Sequence, residues 1–356
     1  MTSLVRRRWV AVLGALALAT AACGSSTDDG DDDAAGSSAG DEADPGGEQP
    51  TIVVTTNILG DVVGELVGDQ ANVVTIMPVG ADPHDFQASA QEIDRLLSAD
   101  ALVVNGADFE AGLLDVIETA RGDGVLTHAA METVDAIEFD GHDHGDDHDG
   151  EDHADDDHAD DDHADDDHAD GDHADGDHAG DDPHFFTDPM RMAAAVEGVA
   201  SFLADAVGGI DASALRSSSD AYVAELEALD ADVQAMVDSV AEDRRTLVTN
   251  HEVFGYFADR YGFEVVGVIV PGGSTTEGVS PADLAALAEV IAADGVPAIF
   301  ADTSSSDELA ETLATEVGDI AVVELYSESL RDADSDGATY LDVVRTNAER
   351  ITDAHS

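Results

Sequence analysis

Residues 51–67, TIVVTTNILGDVVGELV, set the pattern on which the fold is built. Thr51 to Thr56 is a short run rich in β-branched residues, which predicts a strand, and Leu59 to Val67 has the apolar spacing of a helix. Strands that alternate with helices are typical of a mostly parallel sheet covered by helices. The alternation continues with predicted strands at Val73–Met77 and Ala101–Asn105 and predicted helices at Glu92–Ser98 and Asp108–Arg121.

A longer helical pattern occupies the middle of the chain, from Asp211 to Val240. Its apolar residues recur at spacings of three, four and seven: Leu215, Tyr222, Leu226, Leu229, Val233, Met236 and Val240. At 1.5 Å per residue such a helix would run roughly 40 Å, long enough to cross between two domains.

Beyond this helix the strand–helix alternation returns. Ser280 followed by Pro281, with Asp283 at the third position, is a typical helix start. The strands are predicted at Thr246–Thr249, Glu264–Val270, Ala298–Ala301 and Ile320–Leu325, and the other helices at Phe254–Tyr261, Ser306–Val317 and Tyr340–Ile351. The sequence therefore predicts an α/β fold: two lobes of mostly parallel sheet flanked by helices, joined by one long rigid helix.

The N-terminus has the composition of an export signal. Arg6 to Arg8 precede an apolar segment, and residues 1–22 are predicted to be a signal peptide. Cys23, the only cysteine, follows two alanines and matches a bacterial lipoprotein signal, in which lipid is attached to this residue; an ordinary signal peptide with a discarded cysteine is the alternative. Residues 23–50 are mostly Gly, Ser, Asp and Glu, which predicts a flexible lipid-anchored tether.

Residues 140–183 interrupt the α/β pattern. HADDD and HADGD units repeat there with a period of five, which suits neither a helix nor a strand and predicts a disordered insertion. The N-terminal lobe is predicted to comprise residues 51–139. Residues 184–240 would contain the end of this lobe and the long linking helix, and residues 241–356 would form the C-terminal lobe.

The net charge of −67 excludes some partners. There is no lysine, and a nucleic-acid backbone requires a basic surface, so no nucleic-acid partner is expected. The insertion carries 22 acidic residues, yet the rest of the chain is also strongly acidic. Such a surface suits a protein that handles cations.

The histidines are the candidate ligands, since the lone cysteine is assigned to lipid. Ten of the 14 histidines lie between His142 and His184. His84 and His184 each follow Asp-Pro and precede an aromatic residue within two positions, and His251 ends a predicted strand, where side chains face the binding crevice of α/β proteins. From the residues alone, these three can be structural or ligating. His128, near a predicted turn, is expected at the surface or half-buried, and His355 is expected in solvent.

Four segments in order resemble the metal-specific solute-binding proteins of ABC importers, which take up zinc or manganese. The resemblance covers roughly residues 51–356 apart from the insertion. The matching segments are Asp82-Pro83-His84 with Gln91-Glu92-Ile93, Asp182-Pro183-His184 with Asp188-Pro189, His251 to Phe257, and Leu325 to Leu330 with Ala338 to Leu341.

The resemblance implies His84, His184 and His251 as metal ligands. The fourth family ligand is usually Asp, and Glu328 stands there; direct binding, binding through water and no binding all stay open. Three imidazoles and one carboxylate suit a tetrahedral Zn²⁺ site, whereas manganese prefers more oxygen ligands. Because histidine must be neutral to bind, affinity is expected to fall as pH drops through about 6.5.

The implied function is capture of zinc at the extracytoplasmic face of the membrane, by a lipid-anchored monomer, for an ABC permease and its ATPase. The alternatives are another divalent metal such as manganese, or a surface adhesin or metal buffer. A zinc enzyme is not expected: His251-Glu252 begins an HExxH motif, but Gly255 stands where its second histidine belongs.

The insertion has three interpretations: a flexible metal scavenger, a plain spacer, or a metal buffer that is the protein's main purpose. Its imidazoles alternate with carboxylates, which favours weak metal binding. The candidate weak ligands are His142, His144, His148, His153, His158, His163, His168, His173 and His178.

Overall fold

The computed structural model describes residues 49–138, 180–271, 275, 278–304, 306–318 and 320–356. Cys23 and the histidines from His142 to His178 lie outside these residues. The predictions of a signal peptide, a lipid-anchored tether, a disordered insertion and weak insertion ligands therefore stay predictions.

The N-terminal lobe is a four-stranded parallel sheet with the strand order β2-β1-β3-β4. Its strands are β1 (Thr51–Val54), β2 (Asn72–Thr75), β3 (Ala101–Val104) and β4 (Leu126–Ala129). The helices that alternate with them are α1 (Asn57–Val67), α2 (Ala90–Leu97) and α3 (Leu114–Gly122). The edge strand β4 was not predicted, because it is four residues long and begins with an exposed leucine, so it lacks a continuous apolar run.

Two long helices follow the insertion, α4 (Pro189–Ala206) and α5 (Ala212–Val237). The sequence patterns had not separated α4, whose N-cap Asp188 accepts a hydrogen bond from the backbone of Met190. The α5 helix has 26 residues and buries one apolar stripe, in agreement with the predicted linking helix. None of the helices among the described residues is long and apolar enough to cross a membrane.

The C-terminal lobe repeats the parallel arrangement with the strand order β6-β5-β7-β8. Its strands are β5 (Thr246–His251), β6 (Glu264–Val270), β7 (Ala298–Asp302) and β8 (Ala321–Leu325). Its helices are α6 (Gly255–Tyr261), α7 (Pro281–Asp294), α8 (Glu308–Val317) and α9 (Tyr340–Ala354). Helix α5 packs on α1 and α4 of the first lobe and on α9 of the second, so it joins the two lobes. The predicted fold class is confirmed.

Two histidines are buried against expectation. His355 is 1% exposed: its Nδ1 lies 2.7 Å from the carbonyl oxygen of Ile351, its Nε2 lies 2.9 Å from that of Thr246, and its ring stacks on Phe300. The expectation of a solvated His355 is wrong, because α9 returns the C-terminus to the start of β5. His128 is also buried, in β4, where its ring stacks on Phe202.

Candidate metal centre

The four candidate ligands come from different segments that meet between the lobes. His251 is the last residue of β5, and Glu328 follows the end of β8 by three residues. His84 lies in the loop between β2 and α2, and His184 immediately precedes the short turn that leads into α4. Because the carboxyl ends of parallel strands lie at one edge of a sheet, the α/β pattern itself directs these loops to one crevice.

The four side chains form one tight group. Each offers one ligand atom, and these atoms all lie within 4.8 Å of one another. Oε1 of Glu328 lies 2.7 Å from Nε2 of His84, 3.2 Å from that of His184 and 3.1 Å from that of His251. A tetrahedral ion with bonds of about 2.0–2.1 Å has ligand atoms about 3.3 Å apart. The spacing of these donors therefore fits such an ion with little rearrangement.

The group is removed from solvent. His184 and His251 are fully buried, Glu328 is 2% exposed and His84 is 8% exposed. The edge of the Phe109 ring covers two imidazoles, with ring centroids 5.1 Å from His84 and 5.5 Å from His184. The apolar cover strengthens the attraction between a cation and these donors.

The repeated Asp-Pro-His sequence has a structural cause. In each copy the aspartate Oδ1 accepts the backbone N–H of the histidine at 2.9 Å, from His84 to Asp82 and from His184 to Asp182. In the second copy the same Oδ1 also lies 2.7 Å from Nδ1 of His184. Asp182 therefore orients the imidazole and leaves Nε2 directed at the centre of the group.

The charges of the group are strongly coupled. Burial by itself lowers the pKa of His184, but Asp182 and Glu328 outweigh it and raise that pKa to about 9. Burial likewise opposes the charge of His251, and the neighbouring carboxylate of Glu328 raises its pKa above the usual value. Burial opposes the charge of Glu328, yet the three imidazoles hold its pKa well below the usual range. Without a metal, the group is thus a carboxylate paired with protonated imidazole.

We expect Asp182→Ala to weaken metal binding about 10- to 100-fold, the usual effect of losing a carboxylate that orients a ligating histidine. Isothermal titration with zinc measures the change. Asp85→Ala is the matched control, because Asp85 is exposed and adjacent to His84, so this variant removes a nearby negative charge without freeing a ligand. Equal losses in both variants would show that Asp182 acts only through its charge.

Several residues near the group were missed by the sequence analysis. Asp302 ends β7 as His251 ends β5, and its carboxylate is fully buried, so the strand-end rule could have found it. Burial, with the charge of Glu328, raises the pKa of Asp302. Glu252, the base of the rejected enzyme alternative, lines a separate cavity with Phe254 and does not belong to the group.

Glu110 is a second missed residue, and it holds the loop that carries Phe109. It is 1% exposed and accepts hydrogen bonds from Oγ1 of Thr55 and the backbone N–H of Asn105, both at 2.6 Å. Residues 106–108 all have positive φ, a conformation that costs energy at the two non-glycine positions. No sequence pattern revealed this role, because Thr55 lies 55 positions away and reaches Glu110 only in the folded chain.

Two parallel α/β lobes that enclose three imidazoles and a carboxylate define the class of bilobal solute-binding proteins for divalent metals. The family model described as "Zinc-uptake complex component A periplasmic", ZnuA, matches residues 52–354. The chain therefore belongs to the ZnuA family of metal-binding proteins.

Named relatives carry different metals. The chain is 27% identical over 311 residues to the zinc-binding protein TroA of Treponema pallidum (strain Nichols), covering 86% of this chain and 89% of that protein. It is 23% identical over 303 residues to the manganese-binding lipoprotein MntA of Halalkalibacterium halodurans, covering 85% of this chain and 87% of that protein. The solved structure of the periplasmic zinc-binding protein TroA matches with a TM-score of 0.70 and 28% identity, covering 87% of this chain and all of that chain.

Proposed function

We propose that this protein captures zinc outside the cytoplasm and delivers it to an ABC permease driven by its ATPase. The observation that supports zinc is the donor set: three imidazole nitrogens and one carboxylate oxygen, all buried and all within 4.8 Å of one another. In this proposal His84, His184, His251 and Glu328 bind the ion directly. Zinc is the cargo, and the protein contributes a preorganised site.

Manganese is the alternative cargo, and the name of the relative MntA favours testing it. Nitrogen-rich sites generally bind zinc more tightly than manganese, so the affinity of the purified protein is a weak criterion for which metal it transports. The decisive test is a strain that lacks this gene, grown with a chelator. We expect added zinc to restore growth at a lower concentration than added manganese does. Rescue by manganese alone would contradict the proposal.

We further propose that lipid on Cys23 holds a monomer at the extracytoplasmic face of the membrane. The support is the sequence around Cys23 together with relatives that are named lipoproteins. Incorporation of a labelled fatty acid that is lost in Cys23→Ala is the test. A surface adhesin remains the competing role, and binding of zinc-loaded protein to host surfaces in the absence of the permease would favour it.

We propose a binding role without catalysis. The second histidine of the HExxH motif is absent, and Glu252 is not among the four residues whose ligand atoms are grouped together. Zinc-dependent turnover of ester or peptide substrates that is abolished by Glu252→Gln would overturn this proposal.

We expect deletion of residues 142–181 to leave one tight zinc site and to remove the weak ones. Four residues separate Ile137 from the deletion, and Ile137 is already next to Asp182, whose backbone N–H donates to its carbonyl oxygen at 2.8 Å, so only a short connection has to be closed. The tight site should therefore keep its geometry. Calorimetry on the full chain and on the deleted chain separates the two kinds of site, and loss of the tight site in the deleted chain would contradict the prediction.

A further inference from the structure

The two carboxylate oxygens of Glu328 have different surroundings. Oε1 faces the three imidazoles, whereas Oε2 lies 3.2 Å from the hydroxyl oxygen of Ser304. Glu328 is 2% exposed, so bulk water does not compete for Oε2, and a buried carboxylate oxygen that lost this partner would be left unsatisfied. The hydroxyl of Ser304 therefore acts on the orientation of the carboxylate.

Ser304 is itself held in place by the ends of three strands. Its backbone N–H donates to Oδ1 of Asp302 at 2.9 Å, and its hydroxyl also contacts Oδ2 of the same carboxylate, so the single hydroxyl hydrogen is shared between Oδ2 of Asp302 and Oε2 of Glu328. The backbone N–H of Asp302 donates to Oδ1 of Asn250, the residue before His251. The backbone N–H of Thr303 donates to the carbonyl oxygen of Leu325, at the end of β8. The turn after β7 is thus tied to β5, which ends at His251, and to the end of β8, three residues before Glu328.

We propose that Ser304 determines metal specificity by holding Oε2 of Glu328, so that the carboxylate offers the metal Oε1 alone. This inference rests on the proposed function. With one oxygen from Glu328, the protein supplies four donors, the number that zinc takes in a closed tetrahedral site. Manganese prefers more oxygen ligands, and the nearest additional one in this group is Oε2. Engaging Oε2 therefore disfavours manganese while leaving the zinc arrangement intact.

The test is Ser304→Ala in the full chain, with zinc and manganese affinities measured by competition titration. Removing this hydroxyl, whose single hydrogen the Glu328 carboxylate shares with Asp302, frees Oε2 to turn towards the metal, so we expect the ratio of zinc to manganese affinity to fall about 2- to 10-fold. X-ray absorption on the zinc-loaded protein should show four nitrogen or oxygen donors in the wild type and five in Ser304→Ala.

Two further variants control this experiment. Ser304→Thr keeps the hydroxyl and should retain the wild-type ratio and coordination number. Ser306→Ala removes an exposed hydroxyl two residues away, which accepts from the backbone N–H of Glu308 and has no contact with the metal group. It should leave both measurements unchanged.

Either measurement that stays at its wild-type value in Ser304→Ala overturns the inference. If Ser304→Ala does not fold, the wild-type X-ray absorption decides alone: four donors support the inference, and five donors with a two-oxygen carboxylate overturn it. Failure of the proposed function looks different, because the wild-type protein would then bind zinc weakly or support growth only with manganese.

Discussion

We expect His184→Ala to lower zinc affinity about 100- to 1,000-fold. A closed zinc site of four protein ligands has an apparent binding free energy of about 10–16 kcal/mol, so one ligand contributes about 3–4 kcal/mol. The contribution of His184 should lie at the upper end of this range, because His184 is fully buried and its ring is already oriented by Asp182. Competition with a chelator of known affinity measures the loss in the chain that lacks residues 142–181, so that insertion histidines do not replace the lost ligand.

His128→Gln is the matched control for this experiment. His128 is also a buried histidine of the N-terminal lobe, but it stacks on Phe202 and lies outside the ligand group. Its replacement should change the melting temperature without changing zinc affinity. Comparable losses of affinity in His128→Gln and His184→Ala would show that the loss arises from general destabilisation, and would remove His184 from the proposed ligands.

We expect zinc affinity to continue to rise with pH well above 7. The metal binds neutral imidazole, whereas in the metal-free protein Asp182 and Glu328 overcome the effect of burial and raise the pKa of His184 to about 9. The pKa of His251 is also raised. Protons therefore compete with zinc across the neutral range, and each proton released changes the affinity by up to about tenfold per pH unit. Affinity falls as pH drops and levels off only above the raised pKa values.

Titrations at pH 6, 7 and 8 in buffers of different ionisation enthalpy measure both the affinity and the number of protons released. The chain without residues 142–181 is again the suitable protein. Glu328→Gln removes an anion that raises both pKa values, so it should release fewer protons at neutral pH. A plateau of affinity just above pH 6.5 in the wild type would contradict the prediction and restore the simpler expectation from free histidine.

Most elements of the fold could be predicted from local patterns in the sequence. The β-branched run at Thr51 and the apolar stripe of α5 depend on residues a few positions apart, so their periods predict a strand and a helix before any packing is known. The capping box at Ser280 is local in the same sense, and it is present in the structure. The sequence did not predict the edge strand β4, which is short, or helix α4, which is rich in small residues.

The three candidate histidines could be picked out from the sequence because each lies in a local motif. Asp-Pro-His forms its own hydrogen-bonded turn at His84 and again at His184, and His251 ends a strand. Glu328 has no such motif of its own, and only the resemblance to a family suggested it. The structure brings it to His84 across 244 positions of the chain.

By itself, the sequence determined two parallel α/β lobes and the helix that joins them, and it singled out three candidate histidines, because periodicity and turn chemistry act over a few residues. Only the tertiary structure decided how the site is supported and charged. The return of His355 to β5, the orientation of His184 by Asp182 with its raised pKa, and the contact of Ser304 with Glu328 require segments from different strands to pack together. Burial and electrostatic coupling arise from that packing, and no local pattern encodes them.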